Sequence, residues 1–413
     1  MQTTRRAGRV AWRAAAVVVV VAVAGFAAAR HIEAALVLAD IAAGERPSLL
    51  KATTAPPART PVRYSVGGRE HTGDLYLPGD GPPRAGVVLV PGATPAGKDD
   101  PRLVALARTL ARARFAVLTP ELPGFRQLRI QPGDVREVAD AFVWLTAHPD
   151  RAPAGRAGIA AVSYAVGPAV LAALAPDVRE RVGFLLGIGG YYDLPRTIRY
   201  VTTGAYQSPD GVWRHLTPSD YGKLVLVRAA QPYLPAADAA TLERMVARRL
   251  DDRAADLSDL AGHLPDRART VYELAEHATP ERFPELYAGL PAAMRADLDA
   301  LSLHDKDLSR LQARLILVHG RADDLIPWPE SVALAAAVGR NQARLYLLHT
   351  VLAHVDLHLP DMLTWGFLSQ ALPDAMHLWR AVDVLLAERE RPGQPAGEDA
   401  TRGEPHPGRV PGS

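Results

Sequence analysis

The chain has 413 residues, 48% of them hydrophobic and 22% charged, which is enough apolar material for a sizeable globular core in one large domain or two. Its formal net charge is only +2, and Arg, which far outnumbers Lys, is spread along the chain, so no nucleic-acid surface is indicated. With no Cys, disulfides, thiolate catalysis and thiolate metal ligation are excluded.

The N-terminus reads as a membrane segment. Arg5, Arg6, Arg9 and Arg13 precede an apolar or small run, Ala14 to Ala29, which Arg30 closes. The run is shorter than the roughly 20 residues that span a bilayer, but Trp12 and the flanking arginines can lengthen it by snorkelling. The positive charge ahead of it predicts residues 1–13 in the cytoplasm, an uncleaved transmembrane anchor over 14–30, and the remainder outside, in the periplasm. A signal peptide cut at Ala27-Ala28-Ala29, giving a secreted protein, is the rival. Residues 31–61 read as a helix, Ile32–Ala43, ended by Gly44, then a Pro- and Thr-rich linker.

Past the linker, strands and helices alternate. Val62–Val66 and Thr72–Leu77 flank Gly67-Gly68, a hairpin signal. Ala85–Val90, Phe115–Thr119, Ala157–Val162 and Val182–Ile188 are short apolar strands. Helical patterns over Leu103–Arg114, Val135–Ala147 and Pro168–Leu174 separate them. This predicts an α/β fold, a mostly parallel sheet with helices on both faces. From 195 to 310 the chain reads as loops and helices, such as Ala239–Leu250 with Leu242, Met245, Val246 and Leu250 on one face. Strands return at Ala313–Val318 and Ala343–Leu348. The core is therefore assigned to 62–194 and 311–388, with 195–310 inserted as a helical cap over the strands' carboxyl ends, where ligands bind in open α/β sheets. Residues 389–413 have the composition of a disordered tail.

The stretch LVPGATPAGKDDP, from Leu89 to Pro101, follows one of these strands. Gly92 to Lys98 spell GxxxxGK, most of a phosphate-binding loop. The hydroxyl that should bind magnesium is replaced by Asp99, however, and Pro95 removes a backbone donor, so nucleotide binding is disfavoured. Three other strand ends carry chemistry. In GIAAVSYAVGPAV, Ser163 stands at a strand-to-helix junction, with Ala161 and Ala165 where the GxSxG pattern of a nucleophile elbow has glycines. A Ser that merely caps the following helix is the bland alternative. In LILVHGRADDLIPWPES, Asp323 follows a late strand and suits the acid that orients a histidine, with Asp324 as competitor. Both also suit a plain cap and turn. In LYLLHTVLAHVDLHLP, His354 lies in the loop after the last strand, with His349 and His358 as competitors. Asp193 is a weaker rival acid, better read as a helix cap. Tyr191-Tyr192 line a pocket or pack in the core.

The order Ser, Asp, His resembles that of the α/β-hydrolases, and the resemblance runs from about Val62 to Leu386. It implies Ser163 as nucleophile, His354 as base and Asp323 as acid. The backbone N–H groups of Ala93 and Tyr164 would then form the oxyanion hole. Lys98, Asp99 and Asp100 become a solvated, charge-paired loop. A carboxylic ester or related acyl bond would be cleaved through an acyl-enzyme, with water as acceptor. A small-molecule acyl substrate is implied, and no metal or cofactor: the histidines lack metalloprotease spacing and no GxGxxG follows a strand. Two other activities fit the same fold, an acyltransferase using the same triad and a catalytically silent binding protein.

Overall fold

The computed structural model describes residues 28–252, 255–349, 352–353, 356–357 and 371–391. His354, His358, most of the expected anchor (14–27) and the tail beyond 391 lie outside them.

The first half runs α1 (28–43), α2 (Leu49–Thr53), β1 (Ala58–Val66), β2 (Arg69–Leu77), β3 (Ala85–Val90), α3 (Pro101–Arg112), β4 (Phe115–Pro120), α4 (Pro123–Arg126), α5 (Gly133–Thr146), β5 (Ala157–Val162), α6 (Val166–Leu174) and β6 (Phe184–Ile188). The cap follows with α7 (Leu194–Thr203), β7 (Ala205–Gln207), β8 (Trp213–His215), α8 (Asp220–Ala230), α9 (Ala236–Asp251), α10 (Ser258–Ala261), α11 (Asp266–Glu276), α12 (Phe283–Ala288) and α13 (Ala292–Leu301). The core resumes with β9 (Arg314–Gly320), α14 (Pro329–Val338), β10 (Ala343–Leu348), β11 (Leu352–Ala353), β12 (Asp356–Leu357) and α15 (Leu372–Glu390).

Eight strands form one sheet in the order β1-β2-β4-β3-β5-β6-β9-β10. β2 pairs antiparallel with β1 and with β4, and every other pairing is parallel, so β2 alone runs against the rest. Helices cover both faces, which is why β3, AGVVLV, and β4 are buried at every residue instead of alternating. One face packs on α1, α3 and α15, through Val87, Leu89, Ile316 and Val318. The other packs on α5, α6 and the cap, through Val88, Ile159 and Leu317.

Several expectations are corrected. The segment 47–61 is not a plain linker: it holds α2, capped by Ser48, and β1 begins at Ala58. The cap contains a hairpin, Ala205–Gln207 against Trp213–His215, whose three-residue strands are too short for an alternation signal. Leu250 is 57% exposed, while Leu242, Met245 and Val246 are buried, because the last turn of α9 runs past its packing partners.

Helix α1 is integral to the fold. Gly44, at φ +58°, ends it by donating its N–H to Asp40. Buried Asp40 accepts from Thr109 of α3 at 2.6 Å, from Lys51 at 2.7 Å and from Ser48. On the other side, Glu33 takes a two-pronged bond from buried Arg389 of α15 at 2.6 and 2.8 Å, and Asp383 pairs with both Arg30 and His31. The helix is thus wedged between α3 and α15. No helix among the described residues is long and apolar enough to cross a membrane.

Candidate active site

Ser163 is the residue after β5 and has φ +57°. A left-handed backbone costs a non-glycine residue roughly 1–2 kcal/mol, and here the strain turns the chain from strand to helix within one 3-10 turn, Ser163–Ala165. The half-buried side chain lines a cavity of about 970 Å³ at the carboxyl end of the sheet. The two alanines of the elbow are buried, and close approach is supplied by glycines elsewhere. A Cβ on Gly167 would fall 2.0 Å from the Tyr191 hydroxyl, and one on Gly190 2.5 Å from Val166. This explains why a departure from GxSxG is tolerated: the crowded contacts lie after the turn and at the end of β6.

Gly92, Ala93 and Thr94, in the loop after β3, line the same cavity. A Cβ on Gly92 would stand 3.6 Å from that of Ser163 and 3.5 Å from the Val162 carbonyl, in the space beside Ser163. Tyr164 is the second residue of the 3-10 turn, among the opening positions whose N–H groups a helix leaves without an internal acceptor. Its side chain is buried between Phe125 and Tyr191, and its hydroxyl donates to Asp134 at 3.1 Å. Asp134 also accepts the N–H of Gln131 at 3.0 Å, and its burial pushes its pKa up to about 7. This buried acid behind the elbow gave no sequence signal, since Asp134 stands at the ordinary place for a first-turn carboxylate.

Asp323 follows β9, which is separated from β5 by the single strand β6; Val162, Ile188 and Val318 stand level across the three. At about 4.8 Å per strand, the strands leading to the Ser163 and Asp323 loops lie about 10 Å apart. Buried Asp323 accepts the N–H groups of Leu325 at 2.8 Å and Ile326 at 2.9 Å. Its Oδ2 lies 3.3 Å from Nε2 of His319. His319 is itself fully buried, with Nδ1 2.7 Å from Ser331 and Nε2 2.9 Å from the Ile326 carbonyl, so it braces the loop that carries Asp323. Asp324, the competitor, is exposed at the cavity and accepts the N–H of Ser219 from the cap at 2.8 Å.

His354 lies outside the described residues, as does His358. Leu352 and Ala353, immediately before His354, form β11, which lies against β9, the strand leading to Asp323. His349 is exposed at the end of β10 and held at Asp374: its N–H donates to both carboxylate oxygens, and its Nδ1 is 3.5 Å from Oδ1.

Asp193 caps α7, accepting from Arg196 N–H at 3.0 Å. Tyr191 is a core residue, buried and donating to the Leu301 carbonyl, and Tyr192 reaches the His304 carbonyl. The sequence reading missed Glu330, buried in the first turn of α14. It accepts the N–H groups of Tyr192 and Asp193 and pairs with Arg196, and burial raises its pKa. The GKDD stretch is less solvated than expected. Lys98 donates to buried Asp74 at 2.8 Å, and Asp100 caps α3. Asp99, despite some burial, is pulled down to about 2 by hydrogen bonds from Arg126, Arg59 and Lys98. Among the described residues no cluster of His, Asp and Glu could hold a metal ion.

A strained serine turn ending the fifth strand of a sheet in this order, with its second strand reversed and a helical cap inserted after the sixth, defines the α/β-hydrolase fold. The chain is an α/β-hydrolase-fold protein. No family model matches the sequence, and no curated protein matches it. Among solved structures it is similar to an esterase domain from Rhodothermus marinus, at 16% identity and TM-score 0.40, covering 80% of this chain and 97% of that one. An esterase from Pyrobaculum calidifontis is 15% identical at TM-score 0.43, over 82% of this chain and 87% of that one. A puromycin-hydrolysing peptidase from Mycobacterium tuberculosis is 16% identical at TM-score 0.46, covering 86% of this chain but only 42% of the other. Likeness at such identities speaks of fold alone.

Proposed function

We propose that the protein is a serine hydrolase that cleaves a carboxylic ester through an acyl-enzyme on Ser163. The observation that carries this reading is the φ of +57° at Ser163, strain that a helix-capping serine has no need of, on a turn that opens into a large cavity beside Gly92 and Ala93. In this reading His354 takes the proton from Ser163 as Oγ attacks the carbonyl, and Asp323 orients the imidazole. The tetrahedral oxyanion takes hydrogen bonds from the N–H groups of Ala93 and Tyr164. The C–O bond breaks, the alcohol leaves with the proton from His354, and water, activated by the same histidine, releases the carboxylic acid. A fluorophosphonate probe tests this directly: wild type reacts, and Ser163→Ala does not. Equal labelling of both proteins, or of neither, would sink the proposal.

The apolar run before α1 is proposed to anchor the protein, with the hydrolase domain on the extracytoplasmic side. Ala28 and Ala29 already belong to α1, so cutting at the rival signal site would require opening the helix there. Alkaline extraction of membranes distinguishes the two: an anchored chain stays with the pellet, and a processed one is released.

A further inference from the structure

We infer that the acyl group of the substrate is a medium or long aliphatic chain, and that it lies in a channel running from Ser163 down the α1 face of the sheet. This rests on the serine hydrolase reading and names the substrate class for the same site.

The cavity that Ser163 lines does not stop beneath the cap. It continues past Val162, Ile188 and Val318 and reaches Val37 and Ile41 of α1 and Val382 of α15. Those three strand residues stand level on β5, β6 and β9, so they form a smooth aliphatic floor. The wall is α1, held to α3 by the Thr109–Asp40 hydrogen bond and to α15 by ion pairs. A helix wedged there props its two neighbours apart and leaves room that they would otherwise close over the sheet.

The lining is polarised. Its polar lining comes from the loops, the cap and the start of α3, with Thr94, Asp100, Arg102, Ser219, Tyr221 and Asp324; by contrast, every described side chain that the strands, α1 and α15 contribute, Ser163 at the strand end aside, is aliphatic. The polar end suits an ester carbonyl and its departing alcohol, and the apolar end suits only hydrocarbon. The aliphatic walls of the inner part give water no partners, which favours a hydrocarbon occupant there. On α3 the lining runs from Leu103 to Leu110, about 10 Å of helix at 1.5 Å per residue, which accommodates an octanoyl chain or longer. The covalent step is unchanged: Oγ of Ser163 bonds to the acyl carbon, the alcohol departs protonated, and water regenerates the serine.

The test uses the full chain in mild detergent with p-nitrophenyl acetate, butyrate, octanoate, dodecanoate and palmitate. Each methylene that enters the channel should raise kcat/KM by up to roughly fourfold, so octanoate or a longer ester should be preferred. Ile41→Trp and Leu106→Trp place bulk at half-buried lining positions and should lower the dodecanoate-to-acetate ratio at least about tenfold. Fluorophosphonate labelling, run in parallel, separates the two levels of the argument. A wild type that labels yet prefers acetate overturns the channel while leaving the serine hydrolase standing, as does an unchanged ratio in both labelled tryptophan variants. Should the variants fail to label, the wild-type length profile decides alone. Wild type that never labels removes the underlying reading instead.

Discussion

The phenol of Tyr221, near the start of cap helix α8, donates a hydrogen bond at 2.9 Å to the carbonyl of Ala93 in the loop after β3. The preceding cap residue but one, Ser219, donates its N–H to Asp324 in the loop after β9. One short segment of the cap therefore ties together the loop proposed to hold the oxyanion and the loop proposed to present the acid.

Removing that tie with Tyr221→Phe deletes one half-buried neutral hydrogen bond, worth about 0.5–1.5 kcal/mol. If it holds the Ala93 loop in register, kcat should fall about three- to tenfold with KM little changed. Steady-state kinetics on any ester the enzyme accepts will show the split. A change confined to KM would mean that Tyr221 serves only to bind substrate.

Asp323→Asn keeps the side chain's shape and its acceptor for the Leu325 and Ile326 N–H groups, but not its charge. A triad acid so altered costs about 1,000- to 10,000-fold in kcat. Asp324→Asn, on the exposed neighbour, should leave more than half the activity. Reversed effects of the two substitutions would transfer the acid role to Asp324.

Asp134, raised by burial to about 7, should make stability depend on pH. The native carboxyl holds its proton to about pH 7, whereas the unfolded one releases it near 3.8. Between those values the native state binds more protons, so stability is greatest below the window, falls as pH rises through it, and is flat above. Asp134→Asn mimics the protonated form and should flatten that fall. Tm measured across the window for both proteins checks the sign; a decline of equal size in the variant assigns it to other groups.

Asp40→Ala should loosen α1. It removes the acceptor shared by Thr109, Lys51 and Ser48, at an expected loss of about 2–3 kcal/mol. Protease sensitivity should appear first in residues 28–56, before global unfolding. If the first cuts fall in the cap instead, α1 is less central than its contacts indicate.

Much of this was legible in the residues. The runs at Ala85–Val90 and Ala343–Leu348 coincide with β3 and β10 residue for residue; β3, covered on both faces, is apolar throughout, while the edge strand β10 keeps an exposed Arg344. The junction at Ser163 and the cap role of Asp193 were likewise readable, since turn and capping chemistry act over three or four residues. Strand ends with mixed surroundings read less well: β6 begins at Phe184, two residues later than Val182 suggested.

Sequence by itself determined the alternation of strands and helices and the serine that ends the fifth strand, because each is written in a window shorter than one element. Tertiary structure decided the rest. The docking of α1 between α3 and α15, the reach of Tyr221 to Ala93, and the raised pKa of Asp134 depend on groups 30 to 356 residues apart in the chain. Burial and pairing between such distant segments are properties of the packed core, and no local pattern encodes them.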